Sequence, residues 1–212
     1  MPPTLVNVAV GALLGAALLG AAFDRRAVAV VLAAAALPDA DAALSLLVRG
    51  ATNVVLHNLF VPAIAGAVLY WDTALREESW LRERYGWRGC RVAWVALSTY
   101  AVAGIGFDFF TLDAVNLLWP VHDRFYAVFG RLVYSTHEGV VQTYVEVGGH
   151  PLPLRSPGTT ATYHVETWLN PTPGTRNPPG VERRVRIVEY GWQAVVVVAG
   201  AAALAFRFRG EK

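Results

Sequence analysis

Four side chains able to bind a cation or move a proton interrupt segments of this chain that are otherwise apolar. They are Asp39 and Asp41 in Leu37-Pro38-Asp39-Ala40-Asp41, His57 in Leu56-His57-Asn58-Leu59, and Asp108 between Phe107 and Phe109. Carboxylates and an imidazole together form the donor set of a hydrolytic metal site, and zinc or manganese are divalent ions that such donors take. A metal held there activates water and polarises a carbonyl or phosphoryl oxygen. Asp39, Asp41, His57 and Asp108 are therefore the candidate metal ligands and the candidate catalytic residues.

The elements that must position them are membrane helices. Of 212 residues, 55% are hydrophobic and only 16% charged, where soluble domains carry about 25%; with a mean hydropathy of +0.39 the chain reads as one bilayer-embedded unit with a modest aqueous appendage. The net charge of +2 is small and dispersed and argues against a nucleic-acid partner. Cys90 is the single cysteine, so no intrachain disulfide forms. A hydrocarbon core needs about 20 helical residues, and residues 4–23, 27–48, 54–71, 92–110 and 190–206 offer runs of that kind. The expected fold class is a mainly α, polytopic helical bundle of about five spans with a small β-rich cap. Residues 1–120 would form the bundle with the motif residues, 121–189 the cap, and 190–212 the final span and tail. The first run lacks a basic leader and ends in Asp24-Arg25-Arg26, so it reads as a retained span and not a signal peptide.

Arg25, Arg26, Arg76, Arg82, Arg84, Arg88, Arg91, Arg207, Arg209 and Lys212 fall on one side of five spans, against Arg49 in the only short loop of the other. The expected location is the cell membrane, multi-pass, with the N-terminus outside and the C-terminus cytoplasmic. The cap would then be extracytoplasmic. Within it, Val140–Val147 and Ala161–Leu169 are rich in β-branched and aromatic residues, with the Gly148-Gly149-His150-Pro151 turn opening the connection between them; Arg183–Val188 is a third candidate strand. Asn170–Gly180 reads as irregular loop.

Depth brings the chemistry to one level. Asp39 follows the inner end of its span by about 18 Å of helix, beyond the midplane. His57 lies one turn from the outer end of its span, Asp108 near the outer end of the next, and Asn7 in the first outer turns. Asp39 and Asp41 are two apart, which on a regular helix separates their side chains; Pro38 breaks the helix and allows both to point inward. Simpler readings stand beside this one: Asp39 as a helix cap, Asp41 and His57 as interfacial residues, and Asp108 paired with Arg49.

Leu37-Pro38-Asp39-Ala40-Asp41, Leu56-His57-Asn58-Leu59, and Asp108-Phe109-Phe110-Thr111 with Val115-Asn116-Leu117-Leu118-Trp119-Pro120 together resemble the membrane-bound metal-dependent hydrolase family of inner-membrane proteins, over residues 4–125 and in a degenerate, archaeal-type form. That family's pattern has a histidine early in span one, Leu-Pro-Asp-x-Asp-His, a paired-histidine stretch, and His-x-x-x-Asp-x-x-Thr. Here Asn7, Ala42, Thr52 and Gly104 stand where histidines would be. The resemblance implies hydrolysis with Asp39, Asp41, His57 and Asp108 as surviving ligands and Asn7 and Asn58 as neutral neighbours; the oxygen-rich remainder favours a harder cation than zinc.

His122 and Asp123 are candidates to replace missing ligands, or ordinary interfacial residues. His137, Glu138, His150, His164 and Glu166 read as solvated surface, and Arg183-Arg184-Val185-Arg186 as a charged face or an attractor of anionic lipid headgroups. Three functions follow in order of preference. The first is a hydrolase at the outer membrane face acting on a phosphoester or lipid-like ester. The second is a non-catalytic scaffold whose cap binds a protein partner, and the third a small ion- or proton-coupled transporter.

Overall fold

The structure, a computed structural model, describes residues 3–145 and 154–210. It is mainly helical. Helix α1 (Thr4–Leu18) is followed by α2 (Arg25–Ala36), which opens on Asp24, whose carboxylate accepts the Ala27 amide at 2.8 Å. A 3-10 turn (Pro38–Ala40) and the short α3 (Asp41–Leu44) continue α2 at a bend of 50°. Proline cannot donate to the preceding turn and its ring crowds the carbonyl four residues back, which is the cause of the bend. Residues 45–59 are consecutive turns, and α4 (Phe60–Tyr70) then runs on through a π-helical turn, Trp71–Leu75.

Asp72 closes the next turn. Its carboxylate accepts from the Ser79 hydroxyl at 2.8 Å and from the Trp80 and Leu81 amides at 3.0 and 3.1 Å, while Ser79 caps α5 (Trp80–Thr99) through the Arg82 amide. A π-helical stretch (Tyr100–Gly106) and α6 (Phe107–Phe109) extend α5, and α7 (Gly191–Gly210) ends the described chain. Helix α1 packs against both α2 and α7. The contacts are made close by small residues, as helices in lipid require: a Cβ on Gly200 would lie 2.6 Å from the Ala9 carbonyl oxygen, and one on Gly11 2.8 Å from the Ala35 Cβ.

The apolar surface faces outward as well as inward. No residue of α4 is buried, and Ile64, Val68, Val195 and Val198 are 60–68% exposed. Such exposure is unfavourable in water but costs nothing in hydrocarbon. Two helical stretches, Trp80–Phe109 and Gly191–Gly210, are long and apolar enough to cross a membrane, and α2 with 38–44 makes a third if the bent pair is one span. The expected count of about five is thus met only to two or three by length: Thr4–Leu18 and Phe60–Leu75 are apolar but shorter. The third run starts at Phe60 and not at 54; before it Asn53 donates to the Ala114 carbonyl, His57 Nδ1 meets Asp41, and Asn58 donates to the Val55 carbonyl in turns that are not helical. Ahead of the fourth run, Ser79 and Asp72 cap a helical piece that begins at Trp80 inside the charged stretch, and the helix kinks at Gly86 (φ 67°) before the apolar part continues.

The cap is irregular and not β-rich. Its one sheet among the described residues pairs β1 (Leu132–Ser135) with β2 (Gly139–Gln142) in antiparallel register, Leu132 opposite Gln142. Neither Ala161–Leu169 nor Arg183–Val188 forms a strand. Their polar groups are taken up by side-chain bonds and not by a strand ladder: Arg49 donates to the Ala161 carbonyl, the Tyr163 hydroxyl to the Asp113 carbonyl, Arg186 to the Asp113 carboxylate, and Arg183 to the Trp168 and Leu169 carbonyls. The Gly148–Pro151 turn and the last two residues of Val140–Val147 lie outside the described residues. Val54, Ala114, Phe125, Ala127 and Val165 form a buried cluster that joins the cap to the turns carrying His57.

Replacing Gly200 by Val should destabilise the protein by about 1–3 kcal/mol through overpacking against α1. Gly191→Ala, where nothing lies within 4 Å of the added Cβ, should leave the thermal midpoint in detergent unchanged. Equal midpoints for the two variants would contradict the close α1–α7 packing.

Candidate metal centre at the cap end of the bundle

Three separate segments deliver the side chains. The 3-10 turn and the start of α3 carry Asp39 and Asp41, the turns before α4 carry His57, and α6 carries Asp108. His57, Asp41 and Asp108 are fully buried, and the Asp39 side chain is 8% exposed. His57 Nδ1 is 2.8 Å from Asp41 Oδ2, which also accepts the Val54 amide at 3.1 Å. On the opposite ring edge, Nε2 is 3.1 Å from Asp108 Oδ2 and 3.7 Å from Asp39 Oδ1. Asn7 Nδ2 donates to Asp39 Oδ1 at 3.4 Å.

The bend at Pro38 therefore does what the two-residue spacing alone forbids. Asp39 and Asp41 reach opposite nitrogens of one imidazole. Asp39 makes no capping hydrogen bond at its turn, and Asp108 is far from pairing with Arg49, whose guanidinium goes to the cap. When Asp41 is ionised it only accepts, so Nδ1 is the nitrogen that donates to it, and in the neutral ring Nε2 then carries the lone pair on the side of Asp39 and Asp108. One donor atom each from Asp39, His57 and Asp108 lie within 4.8 Å of one another. Asp41, expected among the ligands, stands behind the ring.

Charge balance is the dominant physical feature. Three carboxyl groups surround one imidazole, so with all three ionised even a protonated ring leaves the cluster negative. Oxygens Oδ2 of Asp39, Oδ1 of Asp41, Oδ1 of Asp108 and Oδ1 of Asn7 are buried and lack a hydrogen-bond partner among the described residues. All four are acceptors. Burying unpaired charge costs several kcal/mol per group, and a cation is the partner that satisfies several acceptors at once. The donor set fits a divalent ion on that ground.

Neighbouring polar residues hold the frame. The Tyr100 hydroxyl donates to the Leu56 carbonyl, fixing the residue before His57. Sequence reading missed Tyr100, although Tyr100, Gly104 and Asp108 recur every four residues and so share a helix face. Asn58, expected as a neighbour of the site, instead accepts the Val61 amide at the start of α4 and donates to the Val54 and Val55 carbonyls. His122 and Asp123 do not join the cluster: His122 Nε2 meets the Tyr126 hydroxyl at 2.8 Å, and Asp123 is held by Asn116 and Thr160. His164 bonds the Asn170 carbonyl, His137 is at the surface, and His150 lies outside the described residues. Beside Asp39 opens a cavity of about 360 Å³ between the start of α1 and the cap.

A helical membrane protein with a buried carboxylate–imidazole cluster at one end is the class these features define. The family model described as YdjM inner membrane protein matches residues 3–165, and the chain belongs to that family. Comparison with curated proteins and with solved structures gives no match. The match corrects the assignment drawn from the motifs, because the family found is an inner membrane protein family and not the metal-dependent hydrolase family. Packing explains one departure from the motif: a Cβ on Gly104 would lie 2.5 Å from Pro38 Cγ and 3.2 Å from the Ala35 carbonyl oxygen, so a histidine four residues before Asp108 has no room.

Tyr100→Phe should cost about 0.5–1.5 kcal/mol of stability, the range for one internal hydrogen bond, and should raise amide exchange at residues 55–58 more than in α7. Uniform exchange changes would show that Tyr100 does not hold the His57 turn.

Proposed function

We propose that the protein is a metal-dependent hydrolase whose site lies at the cap-side face of the membrane and acts on a phosphoester or lipid-like ester. The observation that carries this reading is the excess of buried, unpartnered carboxylate oxygen around His57 beside a cavity that Asp39 lines. Asp39, His57 and Asp108 would hold zinc or manganese, and Asp41 would set the ring tautomer from behind. The ion, when bound, supplies a Lewis acid for the phosphoryl or carbonyl oxygen and lowers the pKa of water. Asp39, at the cavity, is the carboxylate placed to accept a proton from attacking water, and Asn7 orients it through its amide.

In this reading all five apolar runs lie in the bilayer, α1 and α4 as short or tilted members, with the N-terminus outside and the C-terminus cytoplasmic. Below the site, Val10, Ala35 and Ala103 form an apolar plug. A plug of this kind favours one-sided chemistry over the two-sided access of a transporter. The scaffold reading keeps one observation of its own: Leu132, Tyr134 and Val140 of the hairpin are 66–78% exposed, an apolar surface suited to a protein partner.

Elemental mass spectrometry of detergent-purified protein separates these readings. The wild type should carry near-stoichiometric zinc or manganese, and a His57→Ala, Asp108→Asn double variant that elutes as a monodisperse peak should carry none. Asp41→Asn should weaken metal binding by about 10–100-fold, the effect of removing a hydrogen-bond partner behind a ligand. A wild type that stays metal-free after reloading with both ions leaves a protonated carboxyl–imidazole network, and the hydrolase reading falls.

A further inference from the structure

We propose that the cavity beside Asp39 seats the phosphate headgroup of a membrane lipid whose acyl chains remain in the bilayer. This names the substrate class of the site above and rests on its reading as a metal centre.

The cavity is built from three parts of the chain. Thr4 and Leu5 open α1, Asp39 comes from the bend after α2, and Trp168, Arg184 and Arg186 come from the cap. Its volume of about 360 Å³ is at the lower end for small-molecule sites and too small for a whole diacyl lipid. The two sides differ in charge. Asp39 presents a nearly buried side chain whose Oδ2 has no hydrogen-bond partner among the described residues. A bare carboxylate repels an anion, whereas one that holds a divalent cation attracts it. Arg186 and Arg184 line the same cavity; Arg186 bonds Asp113 at 2.7 Å and Glu189 at 3.5 Å, and Arg184 bonds Glu182 at 2.8 Å. A guanidinium carries five N–H donors, so both retain donors for phosphate oxygens. Burial works against the Arg186 charge, but Asp113 opposite raises its pKa above the ordinary value. Glu166, which also lines the cavity, is the one further acid there among the described residues. The first amides of α1 add a positive partial charge, since Pro3 provides no side-chain cap.

The mouth decides between a lipid and a soluble ester. Leu5 is 42% exposed, Trp168 51%, Val185 65% and Ile187 63%. Residues 184–187 alternate charged and apolar side chains around one opening, and Leu5 continues the apolar rim onto the bilayer face of α1. Water-soluble phosphoesters gain nothing from such a rim. Acyl chains do, at about 0.8 kcal/mol per methylene removed from water.

The test measures binding by native mass spectrometry of metal-loaded protein in detergent, with dioleoyl phosphatidic acid, dioleoylglycerol and glycerol 3-phosphate as probes. Phosphatidic acid should bind at least about tenfold more tightly than either of the others, the scale of one charge-assisted hydrogen bond. Arg184→Gln, at an exposed side chain, should weaken it several-fold, and the Arg184→Gln, Arg186→Gln pair should bring it to the level of dioleoylglycerol. The lipid assignment fails if glycerol 3-phosphate binds as tightly as phosphatidic acid, if dioleoylglycerol does, or if neither arginine variant matters. Metal content measured on the same samples keeps the two readings apart: retained metal with unselective lipid binding overturns only the lipid assignment, and a metal-free wild type overturns both.

Discussion

An imidazole from one segment held between carboxylates from two others sets the terms for everything around it. Each acid is nearly or fully buried, and when all are ionised their charge exceeds what one ring can neutralise. Such a cluster persists only where the surrounding backbone is rigid enough to forbid the side chains from turning out to water. Here the rigidity comes from the bend at Pro38, from the tyrosine that ties down the residue before His57, and from the Val54 amide that shares Asp41 with the ring.

The cap takes part in this rigidity. Val54 sits in the same buried cluster as Ala114, Phe125, Ala127 and Val165, so the turns that carry His57 are clamped between bundle and cap. Asn170 adds a second tie, donating to the Ser45 carbonyl just past α3. The cap segments divide their hydrogen bonds between the bundle end, as Arg186 with Asp113, and side chains within the cap, as Arg183 with the Trp168 and Leu169 carbonyls, and most of them form no sheet. An irregular backbone at this depth is tolerated because protein surrounds it.

The helices below follow a different physics. Their cohesion depends on small residues that let backbones approach, as at Gly200 against Ala9 and Gly11 against Ala35, since hydrophobic burial gives little drive between helices already in lipid. At the far end Arg207 donates to the Gly20 carbonyl and lies 4.9 Å from the Phe23 ring centroid. A charged group there is consistent with the interface between bilayer and water.

Composition and hydropathy were enough to identify a helical membrane protein, because repeated apolar runs of span length find their natural solvent in hydrocarbon and not in water. The four buried ionisable residues were also legible, since charge inside such runs is expensive whatever the fold. That Asp39 and Asp41 would face opposite nitrogens of one ring was not legible, for it depends on the direction of the bend and on where the turns place His57. Neither was the irregularity of the cap, whose β-branched segments have strand composition but bond through side chains to the bundle end and to other cap segments. The motif resemblance misled about family because spacing survives where side chains do not, and only packing shows that Gly104 pressed against Pro38 leaves no space for an imidazole. Local chemistry, then, is written in residue type; which groups meet is decided by long-range packing, because a hydrogen bond between residues 41 and 57 or 57 and 108 exists only once separate segments have been brought to one place.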